Sequence, residues 1–191
     1  MGSSNSVQGI TEYLLDEYTE LTFLTRAEIL YLFKQFRTLA PRELDIDIYH
    51  RVPVNFIKEL CPQLKYNPFR DRIFRVFSSC KDEKFSFEDL LDLYSVMSEN
   101  CPDSVKAAWA FKILDFDDDG EVGEEDLYTV IDRLTKGNDP ARVIDPNDKH
   151  HIVSVILKEL DLQSNGCIGR LEFEHAVGKM SEFPSSFSFR T

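Results

Sequence analysis

Several residue types and patterns are scarce in this chain, and each scarcity excludes a class of protein. Only 4 of its 191 residues are cysteines, and their spacing matches no zinc or redox motif. No apolar run approaches the roughly 18 residues that a membrane-spanning helix requires, and the N-terminus shows no signal peptide. No nucleophile elbow or phosphate-binding loop is present either. These absences predict a cytoplasmic protein with reduced thiols and no enzymatic activity.

Positive charge is scarce as well. The sequence has 22 lysines and arginines against 34 aspartates and glutamates, a formal net charge of -12, and its first basic residue is Arg26. Such a surface repels nucleic acid and anionic lipid, so we expect neither as a direct partner. With 42% hydrophobic and 29% charged residues, the composition is that of a folded soluble protein.

What the sequence does contain is a pair of polar loops, each lying between helical patterns. The first, 115–126, has acidic side chains at loop positions one, three, five and twelve, with Gly120 at position six. The second, 161–172, is of the same kind, with Gly166 at position six. Ca²⁺ takes about six to eight oxygen ligands, and the glycine allows the sharp turn that wraps the chain around the ion. Two such loops in tandem are typical of an EF-hand protein.

Each loop is expected to hold its ion through side chains and, at position seven, through the backbone carbonyl. In the first loop the ligands are Asp115, Asp117, Asp119, Glu121 and Asp126. In the second loop they are Asp161, Gln163, Asn165, Cys167 and Glu172. Folding without metal stays open for either loop, and more so for the second, because that loop carries less charge and its glutamine is a weak ligand.

Position twelve predicts which ion each loop prefers. Asp126 is one methylene shorter than the glutamate that is common there, so it reaches the ion with one oxygen and favours the six-fold shell of Mg²⁺. Glu172 reaches with both oxygens, which favours Ca²⁺. We therefore expect Mg²⁺ and Ca²⁺ as the two cofactors.

A third segment keeps the loop register but has lost the ligands. In 78–89, Phe85 falls at position eight, where two loops pair through a short strand, and Glu83 replaces the glycine of position six. We interpret this segment as a metal-free hand. An unpaired hand would leave an apolar surface exposed, so a partner hand is expected before it.

The expected partner hand lies between residues 25 and 60, with its loop altered beyond recognition. A capping-box pattern at Thr25 and Glu28 predicts a helix that runs to about Leu39. Residues 41–53 are expected to be irregular, and a short helix follows to Leu60.

These patterns predict an all-α fold of two EF-hand lobes. Its four hands, two of them metal-free, are followed by an apolar C-terminal tail. The expected division is an N-terminal leader at 1–24, an N-lobe at 25–100, a C-lobe at 103–180 and a tail at 181–191.

A hydrophobic groove is expected to accept a partner helix. The chain has 15 phenylalanines and 3 methionines, and a lining poor in flexible methionine favours a narrow set of partners. The candidates are Phe111, Leu114, Leu127, Ile131, Leu134, Ile152, Ile156, Phe173 and Phe187. Apolar residues at helical spacing are usually core, so we expect more than half of the candidates to be core. The tail is expected to cover the groove until an amphipathic helix replaces it.

Gly2 is a candidate for N-myristoylation, because Met1-Gly2-x-x-x-Ser6 fits the pattern. A single acyl chain gives only marginal membrane binding, and the acidic leader repels anionic lipid. We therefore expect membrane contact that is weak, indirect or through the acyl chain, and a cytoplasmic protein that is partly at the membrane. The alternatives are an unmodified terminus or a vector-derived one.

With these residues in view, the chain resembles the calcium- and integrin-binding protein family. Matching stretches run nearly end to end and include Asn67-Pro-Phe-Arg-Asp-Arg-Ile73, Phe85-Ser-Phe-Glu-Asp89 and Asp115-Phe-Asp-Asp-Asp-Gly120. The resemblance implies two EF-hand lobes that bind Ca²⁺ and Mg²⁺ through the third and fourth hands only. It also implies a groove for helical cytoplasmic segments of membrane proteins, such as an integrin α-subunit tail or a mechanotransduction channel subunit. Gln163 departs from the family pattern.

Three classes of function stay open at this point. The first is an adaptor that docks a helical cytoplasmic segment of a membrane protein. The second is the regulatory subunit of a phosphatase or kinase, as in calcineurin-B-like proteins, which two silent hands disfavour. The third is a Ca²⁺ buffer, which would expose little apolar surface when it binds the ion.

Overall fold

The computed structural model describes residues 9–136 and 143–189. Gly2, the predicted lipidation site, lies outside the described residues. The helices are α1 (Glu12–Leu21), α2 (Arg26–Arg37), α3 (Pro41–Ile46), α4 (Val54–Leu60), α5 (Arg70–Phe77), α6 (Phe87–Val96), α7 (Asp103–Leu114), α8 (Glu124–Lys136), α9 (Pro146–Leu160), α10 (Arg170–Val177) and α11 (Phe183–Ser186). A short 3-10 helix (Pro62–Leu64) and two short strands, β1 (Val52–Pro53) and β2 (Lys84–Phe85), are also present. The all-α fold expected from the sequence is confirmed.

The chain divides into two compact units. Among the described residues, the first comprises 9–66, the stretch Phe74–Cys101, and 188–189. The second comprises Asn67–Ile73 and Pro102–Phe187. None of the helices within the described residues has both the length and the apolar character needed to cross a bilayer.

In the first unit, α2 begins where its capping box predicts. The Thr25 Oγ accepts a hydrogen bond from the Glu28 N–H (3.3 Å), and the Glu28 carboxylate accepts one from the Thr25 N–H (2.7 Å). One face of the helix is buried at helical spacing, through Ile29, Leu32, Phe33 and Phe36. This face forms part of the apolar core of the first unit.

Two elements of the first unit differ from the sequence expectations. The segment interpreted as a leader contains α1, whose Leu15 and Tyr18 are buried because they lie on one face of an otherwise acidic helix. Residues expected to be irregular contain α3, which Pro41 begins because a proline at the first helical position has no N–H to satisfy. Both helices are short or strongly acidic, which weakens their apolar periodicity.

The core of the first unit is aromatic. Phe87 is fully buried, and its ring lies 5.7 Å from that of Tyr18, 5.0 Å from Phe33 and 5.6 Å from Phe36. The contacts with Tyr18 and Phe33 are edge-to-face, a geometry that stabilises ring pairs beyond the area they bury. Phe87 therefore packs α6 against both α1 and α2.

The second unit is built from two helix–loop–helix segments, α7–α8 and α9–α10. Their loops meet at an antiparallel bridge, in which Val122 and Ile168 exchange N–H to carbonyl hydrogen bonds of 3.0 Å in each direction. Beneath the bridge lies a buried apolar cluster, formed by Ala107, Ala110, Phe111, Val122, Leu127, Ile131, Val153, Ile168, Phe173 and Val177. The first unit contains a similar antiparallel pairing, of Val52 with Phe85.

Candidate metal centre

The loop 115–126 brings carboxylates together at its centre. One oxygen from each of Asp115, Asp117 and Asp126 lies within 4.8 Å of the other two. The turn depends on Gly120, whose φ of 90° is a conformation that side-chain-bearing residues rarely adopt. The convergent groups are all oxygen donors, which is the ligand type that hard divalent cations take, so the residues present fit Ca²⁺ or Mg²⁺.

Backbone amides fix the carboxylate at the first position of the loop. Asp115 accepts hydrogen bonds from the N–H groups of Asp119 (3.1 Å) and Gly120 (3.0 Å). Asp119 in turn accepts one from the Glu121 N–H (2.8 Å), so its carboxylate stays in the loop. Burial raises the pKa of Asp115, which is the effect expected when a carboxylate leaves water without a neutralising charge.

Asp126 closes the loop from the first turn of α8. Its side chain is buried, and its two oxygens accept hydrogen bonds from the N–H groups of Phe116 (2.8 Å) and Gly123 (3.0 Å). These bonds join the second and ninth positions of the loop to the twelfth. The short aspartate side chain is thus held in one orientation by the chain's own backbone.

The loop 161–172 has the same framework with fewer charges. Asp161 accepts hydrogen bonds from the N–H groups of Asn165 (3.2 Å) and Gly166 (2.8 Å), and the backbone hydrogen bond from Gly166 lowers its pKa. Glu172 is buried and accepts from the N–H groups of Leu162 (2.8 Å) and Gly169 (2.7 Å). The twelfth residue therefore holds the second and ninth positions here as well.

Asn165 and the Cys167 carbonyl, two further candidates of the second loop, lie near Asp161. The inward end of the Asn165 amide lies 3.1 Å from Asp161 Oδ1 and 3.0 Å from the Cys167 carbonyl oxygen, so the amide oxygen at this end would face an ion together with those two oxygens. Gln163 is exposed. The sequence assigned the backbone carbonyl of Cys167, not its thiol, as the ligand. The thiol donates a hydrogen bond to the Glu121 carboxylate (2.8 Å), which raises the pKa of the thiol to about 11.

Arg72 binds the loop 115–126 through its guanidinium, a contact that the sequence did not predict. Its side chain is buried, and Nη2 donates to the Lys112 carbonyl (2.9 Å) and also to the Asp115 carbonyl and the Asp118 carboxylate. Asp118 has a φ of 61°, so the arginine binds a residue in a strained conformation. No local pattern could have revealed this contact, because Arg72 lies more than 40 residues before the loop.

The residues predicted to line a partner groove fall into three groups. Four are buried in the apolar cluster of the second unit: Phe111, Leu127, Ile131 and Phe173. Three are partly buried against that cluster: Leu114, Ile156 and Phe187. Leu134 is 59% exposed and Ile152 38% exposed. Most of the set therefore forms core or its edge, and two members offer apolar surface to solvent.

The tail packs against apolar residues along its described length. In the second unit, Phe183 and Phe187 of the α11 region lie against the apolar cluster. In the first unit, the Phe189 N–H donates to the Met97 carbonyl (2.9 Å), and the Phe189 ring lies 5.1 Å from that of Tyr94.

Phe189 also borders an apolar cavity in the first unit, which the sequence analysis missed. The cavity has a volume of about 310 Å³, and its apolar lining includes Leu24, Tyr31, Leu32, Tyr94 and Met97. Tyr31, which is 62% exposed, places an aromatic ring on the otherwise polar face of α2 beside this cavity.

Comparison with known proteins agrees with this geometry. A family model described as an EF-hand domain pair matches residues 105–178, so fold and loops define an EF-hand protein. The calcium and integrin-binding family member 2 of Drosophila melanogaster is 38% identical over 192 residues, which cover 97% of this chain and 98% of the relative. The proteins of the same name from Homo sapiens and Danio rerio are each 34% identical, over the full length of both chains. The chain belongs to the calcium and integrin-binding family, as the sequence motifs predicted.

Proposed function

We propose that the second unit binds two divalent cations, Mg²⁺ or Ca²⁺ in the loop 115–126 and Ca²⁺ in the loop 161–172. The convergence of the Asp115, Asp117 and Asp126 oxygens supports the first site. Asp119 and the Glu121 carbonyl would complete its shell. In the second site Asp161, Asn165, the Cys167 carbonyl and Glu172 would hold the ion, with Gln163 as the weakest member. A bound cation would neutralise carboxylates that otherwise repel one another.

The choice of Mg²⁺ at the first loop is expected to depend on the length of the Asp126 side chain. In Asp126→Glu, both carboxylate oxygens reach the ion, so the variant should prefer Ca²⁺ and lose about tenfold in Mg²⁺ affinity relative to Ca²⁺. Calorimetric titration with Ca²⁺, with and without excess Mg²⁺, measures this ratio. Glu125→Asp changes a neighbouring side chain by the same methylene and serves as the control. Equal Mg²⁺ competition in Asp126→Glu and the parent chain would contradict the assignment.

We further propose that the protein is a non-enzymatic adaptor, which docks an amphipathic helical cytoplasmic segment of a membrane protein. The observation that carries this proposal is the apolar tail. Its phenylalanines cover hydrophobic surface that a partner helix could cover in their place. The names of the relatives include integrin binding, which supports an integrin as the source of this segment, and we propose its α-subunit tail. A mechanotransduction channel segment is the other partner of the same chemistry. The net charge of -12 favours a helix whose polar face is basic.

Loss of the tail contacts, which Phe187 makes in the second unit and Phe189 in the first, is expected to strengthen partner binding. In Phe187→Ala combined with Phe189→Ala, the tail loses its two terminal apolar contacts, so the fraction of open molecules rises. If the tail covers its surface in about nine of ten molecules, the apparent Kd falls about tenfold. The probe is a fluorescent peptide of an integrin α-subunit cytoplasmic tail, measured by anisotropy in Ca²⁺.

Two controls complete this experiment. A scrambled peptide of the same composition tests whether amphipathic order matters, and Phe56→Ala removes an exposed phenyl ring (53% accessible) elsewhere in the first unit. Unchanged or weaker binding by the double variant would argue that the tail is part of the docking surface, not its cover. Acylation of Gly2 stays a prediction, which mass spectrometry of the native protein tests.

A further inference from the structure

The loop 78–89 of the first unit keeps the backbone of a metal-binding loop although it lacks the metal ligands. Its fourth and sixth residues have positive φ, 50° at Lys81 and 58° at Glu83. The loop 115–126 has positive φ at the same two positions, 61° at Asp118 and 90° at Gly120. Glu83 has no glycine-like freedom, so this conformation costs free energy that other contacts must offset.

The twelfth position of this loop also follows the pattern of the other two. Asp89 is 3% exposed, and its carboxylate accepts hydrogen bonds from the N–H groups of Ser79 (3.1 Å) and Ser86 (3.0 Å). Ser79 and Ser86 occupy the second and ninth positions, which Asp126 holds in the loop 115–126. A buried carboxylate in this place requires a positive charge nearby to offset its loss of hydration.

That charge comes from Arg51, the residue before β1. Its Nη2 donates to the Asp82 carboxylate (2.9 Å), the Lys84 carbonyl (2.8 Å) and the Ser78 hydroxyl (3.2 Å). Its Nη1 donates to the Asp89 carboxylate (2.9 Å). These four acceptors are the fifth, seventh, first and twelfth residues of the loop, all positions that supply oxygen ligands to the ion in a metal-binding hand.

We infer that the loop 78–89 is a cation site whose occupant is the guanidinium of Arg51, in the place that a divalent ion takes in the loops of the second unit. The guanidinium is planar, permanently charged and carries several donors, so one group can satisfy carboxylate, carbonyl and hydroxyl oxygens together. Because it is part of the chain, this cation cannot dissociate. The first unit therefore keeps its paired loop without Ca²⁺ or Mg²⁺.

The electrostatics agree with this assignment. The hydrogen bond from Arg51 lowers the pKa of Asp82 to about 2, and the same contact raises the pKa of Arg51. An ordinary exposed ion pair contributes little to stability, but Asp89 is buried and the guanidinium contacts several loop residues at once. Arg51 also precedes Val52, which pairs with Phe85 of the loop, so its position is fixed by the strand contact.

The test is amide hydrogen exchange by NMR in the full chain, with the divalent ions removed by EDTA. The reporter is Val54, whose N–H donates to the Glu83 carbonyl (2.8 Å), and a second reporter is Ser86. Arg51→Met keeps an apolar stem but removes the charge. Exchange at both amides should accelerate at least about tenfold, because the loop 78–89 opens more often once the guanidinium no longer binds its oxygens. Exchange at Val122 should stay unchanged.

Arg37→Met is the matched control, since Arg37 pairs with the exposed Asp45 in the same unit. Its effect on Val54 should stay within about twofold, as expected for a surface pair. Exchange at Val54 that is the same in Arg51→Met and Arg37→Met would overturn the assignment.

A second variant keeps the inference testable if Arg51→Met does not fold. Arg51→Lys retains the charge but carries one ammonium, which cannot reach all of the loop oxygens, and exchange at Val54 should then rise severalfold. In the parent chain, EDTA should change exchange at Val54 by less than about twofold, because no divalent ion holds this loop. Unchanged exchange in Arg51→Lys, or strong acceleration by EDTA in the parent chain, would overturn the inference.

Discussion

Asp115→Ala is expected to reduce the number of Ca²⁺ ions bound per chain from about two to about one. Asp115 occupies the first position of its loop, and its carboxylate fixes the backbone at Asp119 and Gly120. The substitution therefore removes a ligand and loosens the turn that presents the others. Calorimetric titration gives the stoichiometry directly.

The same variant should lose most of the stabilisation that Ca²⁺ gives to the second unit. An ion at about 100 times its Kd stabilises the folded state by about 2.7 kcal/mol, so removal of one site removes a contribution of that order. Thermal unfolding with Ca²⁺ and with EDTA measures the difference. Asp148→Ala removes the same charge from an exposed position in α9 and should leave both the stoichiometry and the Ca²⁺ response intact. Two ions bound to Asp115→Ala would refute the site.

Phe87→Ala should lower the free energy of unfolding by about 3–5 kcal/mol, as for other large-to-small substitutions in a packed core. The ring is fully buried and contacts the rings of Tyr18, Phe33 and Phe36, so truncation leaves a cavity bordered by three helices. Urea unfolding followed by circular dichroism measures the loss.

Phe56→Ala is the matched control for this experiment. Its ring is 53% exposed, and its removal should change the free energy of unfolding by no more than about 0.5 kcal/mol. If Phe87→Ala were as stable as Phe56→Ala, the aromatic cluster would not be the main core of the first unit.

The features that could be predicted from the sequence are those that a short stretch of chain determines. The loop of 115–126 carries its turn glycine and its carboxylates within one stretch, and the capping box of α2 lies within four residues. Mostly helical structure follows from apolar periodicity, so the fold class was predictable too. The start of α2 agreed with prediction because its signal does not depend on tertiary contacts.

The remaining features depend on residues that are distant in the sequence. Arg51 and Arg72 are single arginines without a local pattern, and each acquires its role through acceptors contributed by a loop elsewhere in the chain. Helix α1 was interpreted as part of a leader, because its buried Leu15 and Tyr18 are only two residues in an acidic run. A partner surface is the hardest feature to predict from sequence, since core and groove residues share the same helical spacing.

The bridge between Val122 and Ile168 has a consequence for how the second unit fills with ions. Two backbone hydrogen bonds join the eighth positions of its loops. An ion that orders one loop therefore also restrains the other, which then loses less conformational entropy when it binds its own ion. Occupancy should therefore be positively cooperative, with the tighter site setting the concentration at which both respond. If both loops bind Ca²⁺ as proposed, the second unit would then respond to Ca²⁺ over a narrower concentration range than two independent sites would.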